Sequence, residues 1–430
     1  MRICVFGLWH LGSVTAACLA QAGFDTVGLD LDPATVAGLS AGRPPLFEPG
    51  LEALVSAGLG AGTLSFTTDA AAAVSDADFI WVTHDTPVDD EDRADVDYVR
   101  TRVAGLFPHL KDGAVVLISS QMPVGSTRGL KTTFEQAAGG RRVAFAYSPE
   151  NLRLGKAIEV FTQPERIILG VDPDHARTVI EPVAARFCDN LIWLSVESAE
   201  MVKHAINAFL ATCVTFINEV ATVCERVGAD AFEVEAGMRS EPRIGPKAYV
   251  RPGGAFAGGT LARDVTFLNE LASEHGLILP LLGGVLPSNQ QHRNWALRRI
   301  TDHFGDLTGR TVALLGLTYK PGTDTLRRSA AVELCRGLAE RGAKVRAFDP
   351  AVHDLPPDLH PVVALAASAD DVVEGADALV IATEWPEFKS LGVASVVARM
   401  REAVILDQNG FLPRDFATDV RIHYATIGKP

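Results

Sequence analysis

Short apolar runs alternate with helical and turn-rich segments along the first half of the chain, as in strands buried on both faces of a parallel sheet. The first thirty residues contain an apolar strand over 3–6, a glycine turn, an alanine-rich helix to about residue 21 and a second strand over 26–29. Further apolar runs cover residues 79–82, 115–118, 143–146 and 167–169. The pattern predicts a doubly wound α/β domain whose ligands bind at the carboxyl ends of its strands.

A long helix follows this first domain, because apolar residues recur at helical spacing from Glu197 to about Gly228. A loop rich in glycine and proline and further helical segments come next. Strand, glycine, helix, glycine and strand then recur between residues 310 and 349, which repeats the opening unit. We therefore expect an α/β fold with two Rossmann-like, doubly wound parallel-sheet domains, at 1–195 and 306–430, joined by a long central helix within a helical middle domain at 196–305.

The composition is that of a folded globular protein, with 430 residues of which 47% are apolar and 21% charged. A net charge of −14 gives no general attraction to nucleic acid or to an anionic membrane, so an anionic ligand needs a local basic site. The six cysteines show no metal-ligand spacing, which favours reduced, buried thiols in a cytoplasmic protein. We find no apolar run of membrane-spanning length and expect no metal site.

The turn after the first strand resembles the dinucleotide-binding pattern GxGxxG. It reads GLWHLG from Gly7 to Gly12, and Asp30 follows Gly7 by 23 residues. Glycines in such a turn let a pyrophosphate approach the backbone at a helix N-terminus, and the acidic residue binds the ribose hydroxyls. The turn predicts NAD rather than NADP, although Trp9 replaces the middle glycine and leaves open a structural turn that binds NAD poorly or not at all.

Three further clusters carry candidate chemistry. Lys203 and Asn207 lie one helical turn apart and could stabilise an oxyanion, or could be a solvated lysine beside a packing amide. A glycine-rich loop leads into Thr260 and Asp264, which share a helix face, although Thr260 could simply be an N-cap. In the last domain a basic group suits a phosphate, or is a solvated loop; it comprises Lys320, Arg327 and Arg328.

Laid in order, these segments resemble the UDP-glucose/GDP-mannose dehydrogenase family of nucleotide-sugar 6-dehydrogenases over nearly the whole length. The resemblance is carried by many ordered motifs. They are GLWHLG with Asp30, FEPGLEAL at Phe47, DTP at Asp85, MPVGST at Met122, YSPENLRLG at Tyr147, SAEMVKHAINAFLATCVTFINE at Ser198, RIG at Arg243, the glycine-rich loop to Asp264, and LGLTYKPGTDTLRRS at Leu315.

The resemblance implies an N-terminal NAD domain, a C-terminal domain for the nucleotide diphosphate, and a central helix that forms a homodimer. Family members oxidise the 6-hydroxyl of the sugar twice. An aldehyde is captured as a cysteine thiohemiacetal, and a thioester is then hydrolysed by water. The expected substrate is a nucleotide sugar, with no nucleic-acid or membrane partner.

Residue roles also follow from the resemblance. Lys203 and Asn207 would hold the alkoxide, Asp264 would relay a proton, and the catalytic set is completed by Glu150 and Thr260. The implied cofactor positions are Gly7, Trp9, His10, Leu11, Gly12, Asp30, Thr86, Gln121, Arg263 and Arg327. The implied substrate positions are Glu150, Asn151, Leu152, Lys203, Asn207, Arg243, Tyr249, Phe256, Gly258 and Lys320.

The departures from the family pattern are concentrated at the chemistry. Thr260 stands where the family has its catalytic cysteine, Leu154 replaces a glutamate, and Gln121 replaces a threonine. Because a threonine hydroxyl is too basic to attack without a dedicated base, we hypothesise that the second oxidation is lost or altered. Two alternatives stay open: a non-oxidative relative or pseudoenzyme that binds a sugar nucleotide, and a dehydrogenase of another phosphorylated or nucleotide-linked alcohol. The altered end motif, residues 407–410, suits the latter.

Overall fold

The computed structural model describes residues 1–89, 94–150, 152–172, 174–257 and 259–430. Contacts divide the chain into two compact units, residues 1–206 and 207–430, which are described separately below. The predicted division into three domains at residues 195 and 305 stays a prediction.

The first unit contains an eight-stranded sheet. Its strands are β1 (Arg2–Phe6), β2 (Asp25–Leu29), β3 (Leu64–Thr67), β4 (Phe79–Val82), β5 (Val115–Ile118), β6 (Ala144–Tyr147), β7 (Ile167–Val171) and β8 (Leu191–Leu194). Its helices are α1 (His10–Gln21), α2 (Pro33–Ser40), α3 (Leu51–Ala61), α4 (Ala70–Val74), α5 (Val96–Leu106), α6 (Ser126–Ala137), α7 (Ala157–Thr162) and α8 (Asp174–Ala184), followed by α9 (Val196–Val227).

The strand order is β3-β2-β1-β4-β5-β6-β7-β8, with the reversal between β1 and β4 that marks a doubly wound sheet. Each face is covered by its own apolar cluster, which explains why the strands read as continuous apolar runs. The expectation of a fully parallel sheet is wrong at one step, because β7 pairs antiparallel with β6. An apolar run has the same periodicity in either direction, so the sequence carries no signal of this reversal.

The second unit repeats the architecture. Its strands are β9 (Thr311–Leu315), β10 (Lys344–Phe348), β11 (Ala364–Leu365), β12 (Ala378–Ile381), β13 (Val404–Asp407) and β14 (His423–Ala425), in the parallel order β11-β10-β9-β12-β13-β14. Its helices are α10 (Ala231–Ser240), α11 (Thr260–Glu274), α12 (Pro280–Arg293), α13 (Trp295–Phe304), α14 (Ala330–Glu340), α15 (Ala369–Val372), α16 (Val393–Arg399) and α17 (Arg414–Thr418). The predicted fold class, two Rossmann-like domains with a long central helix, is confirmed.

The helical segment before β9 shares a core with the second sheet. Ala221 of α9 and the fully buried Trp295 of α13 belong to the same apolar cluster as Leu314 of β9. A smaller cluster joins α9, α11 and α12. The middle helices therefore pack partly on the second sheet and partly on one another.

Among the described residues, α9 is long and apolar enough to cross a membrane by length and composition, contrary to the expectation from the sequence. Its buried polar side chains instead bond to folded parts of the protein. Glu200 accepts hydrogen bonds from the backbone of residues 125 and 127, and Glu225 accepts one from the indole of Trp295. Because these carboxylates are satisfied by protein donors, we interpret α9 as a core helix.

All six cysteines are free thiols, and four of them are buried. Burial raises the pKa of Cys4, Cys18 and Cys335 to about 12, so these thiols stay protonated at neutral pH. The pKa of the half-buried Cys213 is also raised by burial. The interpretation of these cysteines as packing residues agrees with this chemistry.

Candidate active site

The turn between β1 and α1 depends on two of its glycines. Gly7 has a left-handed φ of 99°, and a Cβ there would lie 2.6 Å from the His84 ring. A Cβ on Gly12 would lie 1.8 Å from the carbonyl oxygen of Gly7. Trp9 occupies the N-cap of α1 with φ of −71°, and its side chain is half exposed. The backbone therefore requires glycine at positions 7 and 12, but not at position 9.

Asp30, directly after β2, is placed to bind a ribose. Its Oδ2 accepts a hydrogen bond from the Leu8 amide at 2.7 Å, and its Oδ1 accepts one from the Asp32 amide at 3.0 Å. A carboxylate has about four acceptor positions, so both oxygens retain capacity for ribose hydroxyls. An open cavity of about 520 Å³ lies at this edge and is lined by Gly7, Trp9, Asp30 and their neighbours. The glycine cradle, the carboxylate and the cavity fit a dinucleotide.

Three lining residues of this cavity carried no role in the sequence analysis: His84, Tyr98 and Arg102. The Arg102 guanidinium lies 3.5 Å from the centroid of the Tyr98 ring, a contact that the i, i+4 spacing on α5 could have indicated. Burial lowers the pKa of His84 to about 4, so the imidazole is neutral at physiological pH. Its ring packs edge-on against Phe6.

The structure brings together two predicted cofactor residues at the ends of β4 and β5. The Thr86 hydroxyl donates to the carbonyl oxygen of Gln121 at 2.7 Å, and both residues are buried. The segment that follows Gln121 is held by α9. Glu200 accepts from the amides of Gly125 at 2.6 Å and Thr127 at 2.9 Å, while His204 Nε2 lies 3.0 Å from the Met122 carbonyl.

Glu200 and His204 were missed as site residues, although both lie within the quoted α9 motif. Burial of Glu200 raises its pKa, and the amides that it accepts from oppose this shift. The carboxylate also occupies the N-terminus of α6, where backbone amides are otherwise unsatisfied. These contacts fix the loop after β5 to the same two helical turns that carry Lys203.

Lys203 contacts the other catalytic candidate of the first unit. Its Nζ donates to the Glu150 carbonyl at 2.7 Å and lies 3.5 Å from the Glu150 carboxylate. The same carboxylate accepts the Leu152 amide at 3.0 Å. Since Lys203 is buried, a cation is held at the carboxyl end of β6, where α/β folds bind ligands. The interpretation of Lys203 as a solvated lysine is therefore wrong.

In the second unit the Asn207 amide donates a hydrogen bond to the Asp264 carboxylate, and both side chains are buried. Thr260 is exposed and is the first residue of α11, four residues before Asp264. The N-cap of this helix is Gly259, with φ of 90°, so the alternative role of Thr260 as the N-cap is wrong.

The remaining predicted residues of the second unit are placed as follows. Arg243 is exposed and pairs with Glu241, its Nε lying 2.8 Å from the carboxylate. The Phe256 backbone is held by both polar atoms of the Asn289 side chain. Exposed or half-exposed positions are occupied by Tyr249, Arg263, Lys320 and Arg327. Two predicted substrate residues, Asn151 in the first unit and Gly258 in the second, lie outside the described residues.

Sequence profiles of one family match all three parts of the chain. The NAD binding domain of the UDP-glucose/GDP-mannose dehydrogenase family matches residues 1–188, its central domain 197–291, and its UDP binding domain 313–414. The chain belongs to the UDP-glucose/GDP-mannose dehydrogenase family. The three matches agree with the positions of the two sheets and of the helices between them.

Individual members of this family are similar over the whole length. The UDP-glucose 6-dehydrogenase TuaD of Bacillus subtilis is 32% identical, covering 100% of this chain and 93% of its own. The UDP-glucose 6-dehydrogenase of Rhizobium meliloti is 33% identical, with 100% of both chains covered. A solved UDP-glucose dehydrogenase from Pyrobaculum islandicum superposes with a TM-score of 0.78 at 31% identity, covering 94% of this chain and 93% of the other.

Membership of the UDP-glucose/GDP-mannose dehydrogenase family establishes the coarse function. The protein is an NAD-dependent nucleotide-sugar dehydrogenase. The prediction of NAD from Asp30 and the paired glycines is confirmed. Individual residue roles stay predictions.

Proposed function

We propose that this enzyme oxidises the primary alcohol of a nucleotide-activated sugar to the aldehyde and has lost the cysteine-dependent second oxidation. The observation that carries the proposal is Thr260, which stands four residues before the buried Asp264, where the family resemblance places the nucleophilic cysteine. Position 260 is exposed at the start of α11, so a thiol there would be accessible. A threonine supplies no thiolate.

The first oxidation needs only groups that this chain retains. When bound, NAD⁺ would supply the hydride acceptor, so that RCH₂OH and NAD⁺ would give RCHO, NADH and a proton. Lys203 is a buried cation, and Asn207 and Asp264 form a hydrogen-bonded pair suited to hold and relay a proton. A fixed positive charge stabilises the alkoxide that forms as the proton leaves.

The second oxidation needs a covalent adduct or an activated water. Capture of the aldehyde as a thiohemiacetal requires a thiol, and hydrolysis of a thioester requires a group that activates water. Position 154, where the family pattern has a glutamate, carries an exposed leucine. Both changes act on the same half of the reaction, which supports loss of that half rather than of all activity.

The test is the number of NADH molecules formed per sugar consumed, measured by absorbance and mass spectrometry. A panel of UDP- and GDP-hexoses is supplied with NAD and an aldehyde trap. We expect one NADH and a trapped aldehyde, and a rise toward two NADH in Thr260→Cys, whereas Thr260→Ser remains at one.

Each other result contradicts the proposal in a defined way. Two NADH per sugar in the wild-type enzyme would show that the hydrated aldehyde is oxidised without a thiol. No NADH from any member of the panel would favour the non-oxidative relative or an alcohol of another class.

We also propose a homodimer formed through α9. Phe209, Phe216 and Val223 recur every seven residues along this helix and are exposed. A stripe of large apolar side chains at heptad spacing is typical of a helix-helix interface.

We further propose that the protein lies in the cytoplasm. Its cysteines are free thiols and most are buried, which supports a reducing compartment.

A further inference from the structure

A buried carboxylate joins the dinucleotide turn to the loop after β6. Glu48 is 4% exposed and accepts three hydrogen bonds within the first unit. The donors are His10 Nε2 at 3.0 Å, the Gly155 amide at 2.8 Å and the Ala157 amide at 2.9 Å. Neither FEPGLEAL nor the cofactor turn suggested this contact from the sequence.

The two ends of this bridge belong to two different ligand loops. His10 is the first residue of α1, at the helix end where a dinucleotide pyrophosphate binds. Gly155 and Ala157 close the loop that begins at Glu150 and leads into α7. Glu48 therefore contacts the NAD loop through a side chain and the Glu150 loop through the backbone.

The donor count shows that a carboxylate is required. Oε2 accepts from both His10 and Gly155, and Oε1 accepts from Ala157. An amide at this position has a single acceptor oxygen, so it would turn an NH₂ group toward at least one of these donors. Burial raises the pKa of Glu48, but the hydrogen bonds from His10 and from the two amides outweigh it and hold the pKa below its usual range.

Three large apolar side chains are exposed next to this bridge. Trp9, Phe47 and Leu154 each immediately precede a bridge residue in the chain. Glu48 and Ala157 are buried, whereas these three neighbouring side chains reach the surface.

We propose that Glu48 is a positioning residue that transmits occupancy of the NAD site, through His10, to the loop spanning residues 152–157. A ligand at the N-terminus of α1 satisfies its free amides and orders its first turn. The ordered first turn holds His10, and His10 holds the carboxylate that fixes Gly155 and Ala157. The NAD-bound enzyme therefore presents an ordered sugar-nucleotide loop, which deepens the proposed function because it rests on the assignment of this loop to the substrate.

The test uses NADH alone as ligand and amide hydrogen exchange as readout, so it needs neither turnover nor a correct sugar. In the wild-type protein, saturating NADH should slow exchange of the Gly155 and Ala157 amides about tenfold or more. His10→Gln keeps a donor near the position of Nε2 and should retain the effect, whereas His10→Phe should lose it. Glu52→Gln, an exposed carboxylate on the adjacent α3, is the matched control and should retain it.

Kinetics give a second readout with an active sugar. His10→Phe and Glu48→Gln should raise KM for the nucleotide sugar about ten- to a hundredfold and change kcat less, as expected for loss of a charged hydrogen bond that orders a binding loop. Equal protection of residues 155 and 157 by NADH in wild type and His10→Phe would overturn the proposal. A product ratio of two NADH per sugar would overturn the proposed function and leave this exchange result intact.

Discussion

Trp9 replaces the middle glycine of the turn between β1 and α1 without disturbing its backbone. Gly7 and Gly12 have no room for a Cβ, so the two retained glycines are the ones that the fold requires. Position 9 has an ordinary φ, and its indole is half exposed. The middle glycine of such a turn serves the approach of the phosphate rather than the fold. Trp9 therefore changes the surface of the turn without straining its backbone.

His84 makes the stability of the NAD domain sensitive to acid. Its pKa is about 4 in the folded protein because burial disfavours the charged ring, against 6.5 when unfolded. The unfolded chain therefore binds more protons between these values, and stability falls as the pH falls. We expect His84 to remove about 2 kcal/mol of unfolding free energy between pH 7.5 and pH 5.

Denaturant unfolding at the two pH values measures this loss. His84→Phe keeps an aromatic ring against Phe6 and cannot titrate, so its loss between pH 7.5 and pH 5 should be smaller by about 2 kcal/mol. The same pH dependence in both proteins would contradict a neutral buried imidazole.

The strand-turn-helix element occurs in both units, and its turn is held in the same way in each. In the first unit Gly7 has a left-handed φ, and Asp30 after β2 accepts the Leu8 amide at 2.7 Å. In the second unit Gly316 has a φ of 92°, and Asp349 accepts the Leu317 amide at 2.7 Å. The carboxylate at the end of the second strand thus fixes the turn after the first strand in both units.

Substitution by alanine is expected to have opposite effects at two helical glycines, Gly12 of α1 and Gly129 of α6. Gly12→Ala places a methyl group 1.8 Å from the Gly7 oxygen and should destabilise the protein by about 3 kcal/mol or more. Gly129 of α6 has no atom within 4 Å of its Cβ position, so Gly129→Ala should stabilise by about 1 kcal/mol. Thermal and denaturant unfolding decide both, and equal effects would refute the packing argument.

The opening strand-turn-helix element of each unit and the long helix α9 could be predicted from the sequence, because apolar runs and glycine stops mark them. Six strands of two to four residues were missed, because runs this short carry little periodicity: β3, β8, β11, β12, β13 and β14. Helix α10 was also missed. Its sequence, AFEVEAGMRS, contains no long apolar stripe, and its position depends on packing against distant residues.

Candidate site residues could be predicted only where the residue type and its spacing indicate a chemical role. Lys203, Asn207, Asp264 and Asp30 were identified from spacing and resemblance, and the structure gives each of them a polar contact. The buried carboxylates of Glu48 and Glu200 were not identified, and they accept hydrogen bonds from backbone amides far away in sequence. No local pattern reports such a partner, because the contact exists only after the strands are ordered.

At the scale of the whole molecule, helix α9 combines candidate catalytic residues, core residues and an exposed apolar stripe. Its first turns carry Glu200, Lys203 and His204, and its later turns belong to the core of the second unit. The opposite, exposed face carries the apolar stripe described above. One helix therefore supplies catalytic candidates, core residues and the proposed interface.

The proposed homodimer predicts a specific loss of assembly. Phe216→Glu places a charge in the middle of the stripe, and we expect the dimer to become a monomer because burying an unpaired charge is costly. Val420→Glu is the control, since Val420 is fully exposed and lies far along the chain from α9. Light scattering coupled to size-exclusion chromatography measures the mass of each variant, and a dimeric Phe216→Glu would contradict the interface.

The burial of the cysteines and the threonine at position 260 bear on how peroxide affects this enzyme. Enzymes that depend on an accessible thiolate are inactivated when peroxide converts it to a sulfenic or sulfinic acid. Here the most buried cysteines have a pKa of about 12, and position 260 carries a hydroxyl that peroxide does not attack. If the proposed one-step oxidation holds, we expect the enzyme to keep forming NADH at peroxide concentrations that inactivate a cysteine-dependent dehydrogenase.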